Sequence, residues 1–118
     1  MIEPENVFIG GLIFPGVMVS LDSLRSHAAQ LPGISLDKPK KVIGKNTVDC
    51  MRSGMMYGTA AMLDGLIDRI AEELGHESTI IATGGLAQFV IPLCKHEIIL
   101  EKELLLKGLN IIYKKNKR

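Results

Sequence analysis

The sequence predicts an α/β fold built around one long central helix, and three observations carry that expectation. Short apolar runs rich in β-branched residues stop at glycine, proline or charged residues at 7–9, 79–83 and 97–100. Apolar positions recur at three- and four-residue spacing in 17–29 and 104–113. Between these segments a stretch that Asn46 or Thr47 can cap runs without a breaker to Leu74 and meets Gly75. Strand, helix, long helix, strand, helix, strand, helix is the alternation of an α/β chain.

Each element has its own reason. The run 7–9 stops at Gly10-Gly11, and a second strand run, 12–14, stops at Pro15-Gly16. Val17, Leu21, Leu24 and Ala28 then form an apolar stripe with Ser20, Asp22, Ser23 and Arg25 between them, an amphipathic helix over 17–29. It ends before Pro32-Gly33, and 34–41 is expected to be an extended, solvated loop broken by Pro39. In the long helix, Gly54, Gly58, Ala61 and Gly65 stand at i, i+4, i+7 and i+11, so they share one face. A glycine inside a helix costs about 1 kcal/mol relative to alanine, so this stripe calls for the close approach of another helix or strand. The strand 79–83 runs into Gly84-Gly85, a helical turn or two follows in 86–93 before Pro92, and 97–100 is a further strand. A last amphipathic helix carries Leu104, Leu105, Leu109, Ile112 and Tyr113.

Composition sets the outer bounds. A chain of 118 residues that is 47% apolar and 23% charged can bury one core, so a single domain over 1–118 is expected. With no Trp and with six Met, that core should consist of small and flexible side chains suited to close helix packing. Fourteen basic residues against thirteen acidic ones give a net charge of +1, which singles out neither nucleic acid nor an anionic membrane as a partner. The tail Lys114, Lys115, Lys117 and Arg118 complements a helix C-terminus and is not a nucleic-acid patch. Cys50 and Cys94 lie far apart among apolar neighbours, so two buried thiols in a reducing compartment are expected. Residues 1–6 lack a basic and then apolar leader, and the apolar windows 9–19 and 55–70 are too short or carry Asp64 and Asp68; a cytoplasmic chain without a membrane span is expected.

Few residues suggest chemistry by themselves. Gly84-Gly85 after a strand lets a backbone approach a nucleotide, but such pairs also simply end strands. Gly10-Gly11 with Pro15-Gly16 has the same two readings. The segment 43–47 (IGKNT) resembles the end of a phosphate loop, yet Lys40 stands where that motif needs glycine and Asn46 follows Lys45, so a P-loop is rejected. Thr47 is read either as a helix cap or as a polar-ligand contact. His27, His76 and His96 have no metal-ligand spacing. Asp64 and Asp68, with Arg69 and Glu72 nearby, are expected to be a solvated stripe and not an acid/base pair.

Three stretches taken together resemble one family. GGLIFPG at 10–16, then LPGISLDKPKKVIGKNT leading into MRSGMMYG at 31–58, then ATGGLA at 82–87 with LLLKGL at 104–109, look like the successive C-terminal motifs of type III pantothenate kinases. The resemblance covers nearly the whole chain. It implies one lobe of an actin-like, sugar-kinase-like (ribonuclease H-like) ATPase fold, and ATP-dependent phosphorylation of pantothenate as the first step towards coenzyme A. It implies further that Thr47 contacts pantothenate, that Gly84 and Gly85 sit on the adenosine side, and that the Gly54, Gly58 and Gly65 stripe lies in a homodimer interface, with 10–16 near the partner chain. ATP with a divalent cation, and a monovalent cation such as potassium or ammonium, are the implied cofactors.

Family chains are about twice as long. Upstream they carry an aspartate-glycine-asparagine phosphate loop, a glycine-x-aspartate-arginine segment with the catalytic base, and an aspartate-glycine-threonine segment for ATP and the monovalent cation; none of these appears in this sequence. Residues 1–6 would fall in the hairpin after the last of them. The expectation is therefore a C-terminal lobe without the ATP-phosphate-binding lobe, with no catalytic base and no metal ligand of its own. Such a chain should not catalyse unless a separate N-terminal half is supplied. The competing reading is a non-catalytic dimerising remnant or a regulatory paralogue.

Overall fold

The computed structural model describes residues 1–28 and 31–117. In chain order the elements are β1 (Ile2–Glu3), β2 (Val7–Phe8), α1 (Val17–His27), α2 (Thr47–Leu74), β3 (Ile81–Ala82), α3 (Ala87–Val90), β4 (Ile99–Leu100) and α4 (Leu104–Asn116), with single 3-10 turns at Pro4–Asn6 and Ile91–Leu93. The α/β alternation expected from the sequence is present. So is the hairpin at the start: β1 and β2 pair antiparallel, Ile2 opposite Phe8, across a turn in which Glu5 and Asn6 take φ of 68° and 63°.

The long helix begins and ends where its capping residues stand. The Asn46 side chain accepts the Asp49 amide hydrogen at the N-terminus, and Gly75 closes the C-terminus in the left-handed region at φ 77°. Twenty-eight residues make a rod of about 42 Å. Ser53, Met56, Ala60 and Leu63 follow one another at helical spacing and form its covered side. Met56 is fully buried and clusters with Ala60 and Val90, and Val17, Leu36, Leu63, Leu93 and Cys94 pack around them. α1 lies against α2 and buries Leu21; α3 and the following 3-10 turn pack against α2 as well. Pro92 stands early in that turn, where its missing N–H is not needed.

The strands are shorter than the sequence runs suggest. Of 79–83 and 97–100 only Ile81–Ala82 and Ile99–Leu100 pair, in parallel, and 12–14 forms no strand, with Ile13 wholly exposed. β propensity is realised only where a second strand offers hydrogen-bond partners, and the described residues hold none for 12–14. Ala29, expected to end α1, and Arg118, expected in the basic tail, lie outside the described residues; α1 is described as far as His27.

The core is smaller than the composition allows. Its buried apolar side chains among the described residues are Leu21, Met51, Met56, Ala60 and Val90. The accessible surface is 9217 Å², against about 6300 Å² for a compact monomer of this mass, and the radius of gyration is 17.4 Å against about 13.5 Å. α4 buries none of its residues, and Leu105, Leu106 and Ile112 are more than half exposed. Cys50 is exposed and Cys94 only partly covered, so the two buried thiols expected from the sequence are not found. Apolar neighbours in sequence bury a thiol only if the tertiary packing covers that face.

Replacing Met56 by Ala removes the one completely enclosed large side chain among the described residues and should cost about 2–5 kcal/mol. In urea denaturation of the chain this appears as a lower midpoint at unchanged slope; a shift worth less than 1 kcal/mol would mean that the Met56 cluster is not a closed core.

Candidate functional site

The segment 34–46 is fastened to the first three turns of α2 by contacts of three kinds. The Arg52 guanidinium donates from Nε to the Ser35 carbonyl at 3.0 Å and from Nη2 to the Ser35 hydroxyl at 3.2 Å. The buried Ser53 hydroxyl donates to the Val42 carbonyl. The Gly44 backbone lies so close to the helix that a Cβ there would stand 2.4 Å from the Cys50 amide nitrogen, so only glycine fits. Gly44, Arg52 and Ser53 stand inside the IGKNT and MRSGMMYG motifs, but the sequence assigned none of them this fastening, because it depends on a loop brought against the helix by tertiary packing.

This fastening settles the capping question. Asn46 is the cap: its Oδ1 accepts the Asp49 amide at 2.9 Å while its Nδ2 donates to Asp49 Oδ2 at 2.8 Å, a reciprocal arrangement akin to a capping box. Thr47 is the first helical residue and is exposed, so its hydroxyl is not committed to the cap. The capping role weighed for Thr47 in the sequence belongs to its neighbour.

The small-residue stripe lies on the opposite side of α2 from the Met56 cluster, turned from it by roughly 150° at 100° per residue. A Cβ built on Gly54, Gly58 or Gly65 meets nothing within 4 Å. Gly54, Gly58 and Ala61 line an open groove of about 820 Å³, bounded by Ile43, Tyr57 and Lys95. The close neighbour that the stripe calls for is therefore not another element of the described chain.

Asp68 is exposed, as expected of a solvated stripe, but both carboxylates of the pair are also bonded to a distant turn. The Asp64 carboxylate accepts the Lys95 amide at 2.8 and 3.0 Å and the His96 amide at 3.1 Å, and Asp68 Oδ1 meets His96 Nε2 at 2.6 Å. The pair pins the 94–97 turn, and hence β4, to α2. Desolvation pushes the Asp64 carboxyl up, but the two amide donors and the charges of His96 and Lys95 outweigh it and hold the group below its ordinary value of 3.8. Burial, and next the Asp64 charge, push the Cys94 thiol up, which disfavours its thiolate.

Gly84 and Gly85 follow β3 on the surface. Gly84 has φ 106°, which favours glycine, its carbonyl accepts the Ala87 amide at 3.3 Å, and a Cβ on either glycine would meet open space. The groove over α2 is lined by none of Gly84, Gly85 and Thr47. The described residues contain no cluster of His, Cys, Asp and Glu able to hold a metal ion, and no helix long and apolar enough to cross a membrane.

Comparison with known proteins adds the family. The family profile described as type III pantothenate kinase matches residues 1–69. Three curated relatives bear the name type III pantothenate kinase: the Exiguobacterium sibiricum protein is 47% identical over 116 residues, that of Frankia alni 45% over 116, and that of Acidothermus cellulolyticus 42% over 116. Each alignment covers 98% of this chain and 46%, 46% and 45% of the relative in turn, so the chain spans about half the length of the curated relatives it matches.

The Asp64 contacts predict an acid-sensitive joint. Because its folded value lies below the ordinary 3.8, its contribution is complete above that pH and fades as pH falls through the folded value. Asp64→Asn should lower stability at pH 7, and the gap between variant and parent should narrow below pH 3.8 in urea titrations run across pH. A gap independent of pH would mean that the carboxylate charge plays no part.

Proposed function

The chain belongs to the type III pantothenate kinase family, and from that premise we propose that it is the C-terminal, substrate-side half of an enzyme that transfers the γ-phosphoryl group of ATP to pantothenate. The observation that carries the proposal is identity of 42–47% to enzymes of that name across 98% of the chain, in a sequence that keeps the IGKNT loop intact at 43–47. The finer architecture proposed is one lobe of an actin-like ATPase. A parallel two-stranded sheet beside helices suits it, since parallel strands are normally covered on both faces.

The residues take the following roles in this reading. The exposed Thr47 hydroxyl, left free by the Asn46 cap, contacts pantothenate. Gly84 and Gly85 present backbone without a Cβ to the adenosine side, and the open space over both fits the approach of a planar base. ATP, with its divalent cation, supplies the phosphoryl group, and the monovalent cation belongs with it; no described residue is assigned to either cation. The base that orients the pantothenate hydroxyl comes from the N-terminal half, so the chain alone is proposed to be inactive. The Gly54, Gly58 and Gly65 face meets the same face of a second copy, which supplies the close neighbour missing within the chain.

A coupled ADP-release assay with pantothenate and ATP tests the proposal, on the folded chain alone and with an N-terminal family half added in equal amount. Turnover only in the mixture is expected; silence in both favours the non-catalytic, dimerising or regulatory reading. In the active mixture Thr47→Val should raise the pantothenate KM by the worth of one hydroxyl contact, about 0.5–1.5 kcal/mol, and leave the KM for ATP nearly unchanged. An unchanged pantothenate KM would remove Thr47 from the substrate site.

Gly58→Leu should abolish the dimer before it alters the monomer fold, because the added side chain points into the space reserved for the partner. Sedimentation velocity together with circular dichroism reads both quantities; a dimer that survives the substitution would place the interface elsewhere.

A further inference from the structure

One cation at the start of α2 spans more of the chain than any other side-chain contact in that region. Arg52 is only 20% exposed along its side chain. Its Nε and Nη2 hold the carbonyl and hydroxyl of Ser35, seventeen residues away, and its Nη1 stands 3.6 Å from Asp49 Oδ1. Ser35 Oγ in turn donates to Asp37 Oδ2 at 2.6 Å. From Asp49 the chain of contacts continues to Asn46 through the reciprocal bonds at 2.8 and 2.9 Å. Asn46 is the residue before Thr47. The other two fastenings act near the end of the loop, at Val42 and Gly44; among the described side-chain hydrogen bonds from α2, those of Arg52 alone reach its beginning.

We propose that Arg52 is a positioning residue for the pantothenate contact at Thr47. It fixes the loop 34–46 against α2 and, through Asp49 and Asn46, sets the backbone angle at which Thr47 enters the helix. The inference rests on the reading of Thr47 as a substrate contact, and it names a residue that touches no substrate itself. A planar guanidinium suits the task, because it offers donors in a rigid fork to Ser35 while a further nitrogen faces the Asp49 carboxylate. A lysine ammonium has one nitrogen, on a more flexible stem, and cannot hold both ends at once.

The test compares the parent with Arg52→Met and Arg52→Lys. Amide hydrogen exchange is followed at Gly44 in the loop and at Ala60 in the middle of α2, and pantothenate and ATP affinities are measured by calorimetry on the chain combined with an N-terminal family half. Arg52→Met should speed exchange at Gly44 roughly tenfold and leave Ala60 unchanged. It should weaken pantothenate binding roughly tenfold without changing ATP binding, and Arg52→Lys should recover only part of either effect. Three outcomes overturn the proposal: Gly44 exchange and pantothenate affinity equal to the parent in Arg52→Met, a uniform rise in exchange that includes Ala60, or full recovery by lysine. If the parent mixture binds no pantothenate, the reading of Thr47 fails first and the proposal falls with it; if the parent binds and Arg52→Met binds equally well, the proposal alone fails.

Discussion

The buried core of the described chain is built on α2. Met56 is the one large side chain completely enclosed among the described residues, and it sits in the first half of a helix whose two ends are closed by Asn46 and Gly75. α1 and α3 pack on that helix, the loop 34–46 is bonded to its first turns, and Asp64 and Asp68 draw the turn before β4 against its later ones. A helix of this length is not stable through propensity alone, least of all with three glycines in its interior. It stands because several weak layers share it, and each layer has little other support.

The dependence on one rod explains the distribution of bare surface. A helix can bury one side against its own chain, and here that side is the Ser53, Met56, Ala60 and Leu63 stripe. The opposite side carries the glycines and is uncovered, as are 12–14 and the apolar residues of α4. Scattered exposed apolar residues are ordinary, but contiguous faces of this kind mark surfaces that other protein covers. A lobe within a larger kinase assembly has that character, and the proposed dimer and the proposed N-terminal half account for the uncovered faces without any change in the described fold.

At the proposed substrate end, division of labour between adjacent residues is the physical feature of interest. Asn46 satisfies the free amide of the first turn, so Thr47 keeps its hydroxyl for another partner, although both residue types are able to cap a helix. Gly44 permits the loop to lie on the helix backbone, and Arg52 and Ser53 hold it there. Gly84 and Gly85 are placed by a separate element, the end of β3.

The residues alone determined the helices, the end of the long one at Gly75 and the glycine face, because these depend on local spacing: an uninterrupted helical run and a glycine able to take positive φ; they left its N-cap between Asn46 and Thr47. They also determined the family, through motifs that run the length of the chain. Tertiary structure decided the matters that depend on what lies across a gap. Asp64 looks solvated along its helix, but the Lys95 and His96 amides arrive from a distant turn. Cys50 has apolar neighbours in sequence and still faces outward, and the strand-like run 12–14 has no second strand to pair with. Arg52 is one more charge on a helix until Ser35, seventeen residues away, is folded back against it. Periodicity specifies which face a side chain occupies, whereas only the packed chain specifies what that face meets.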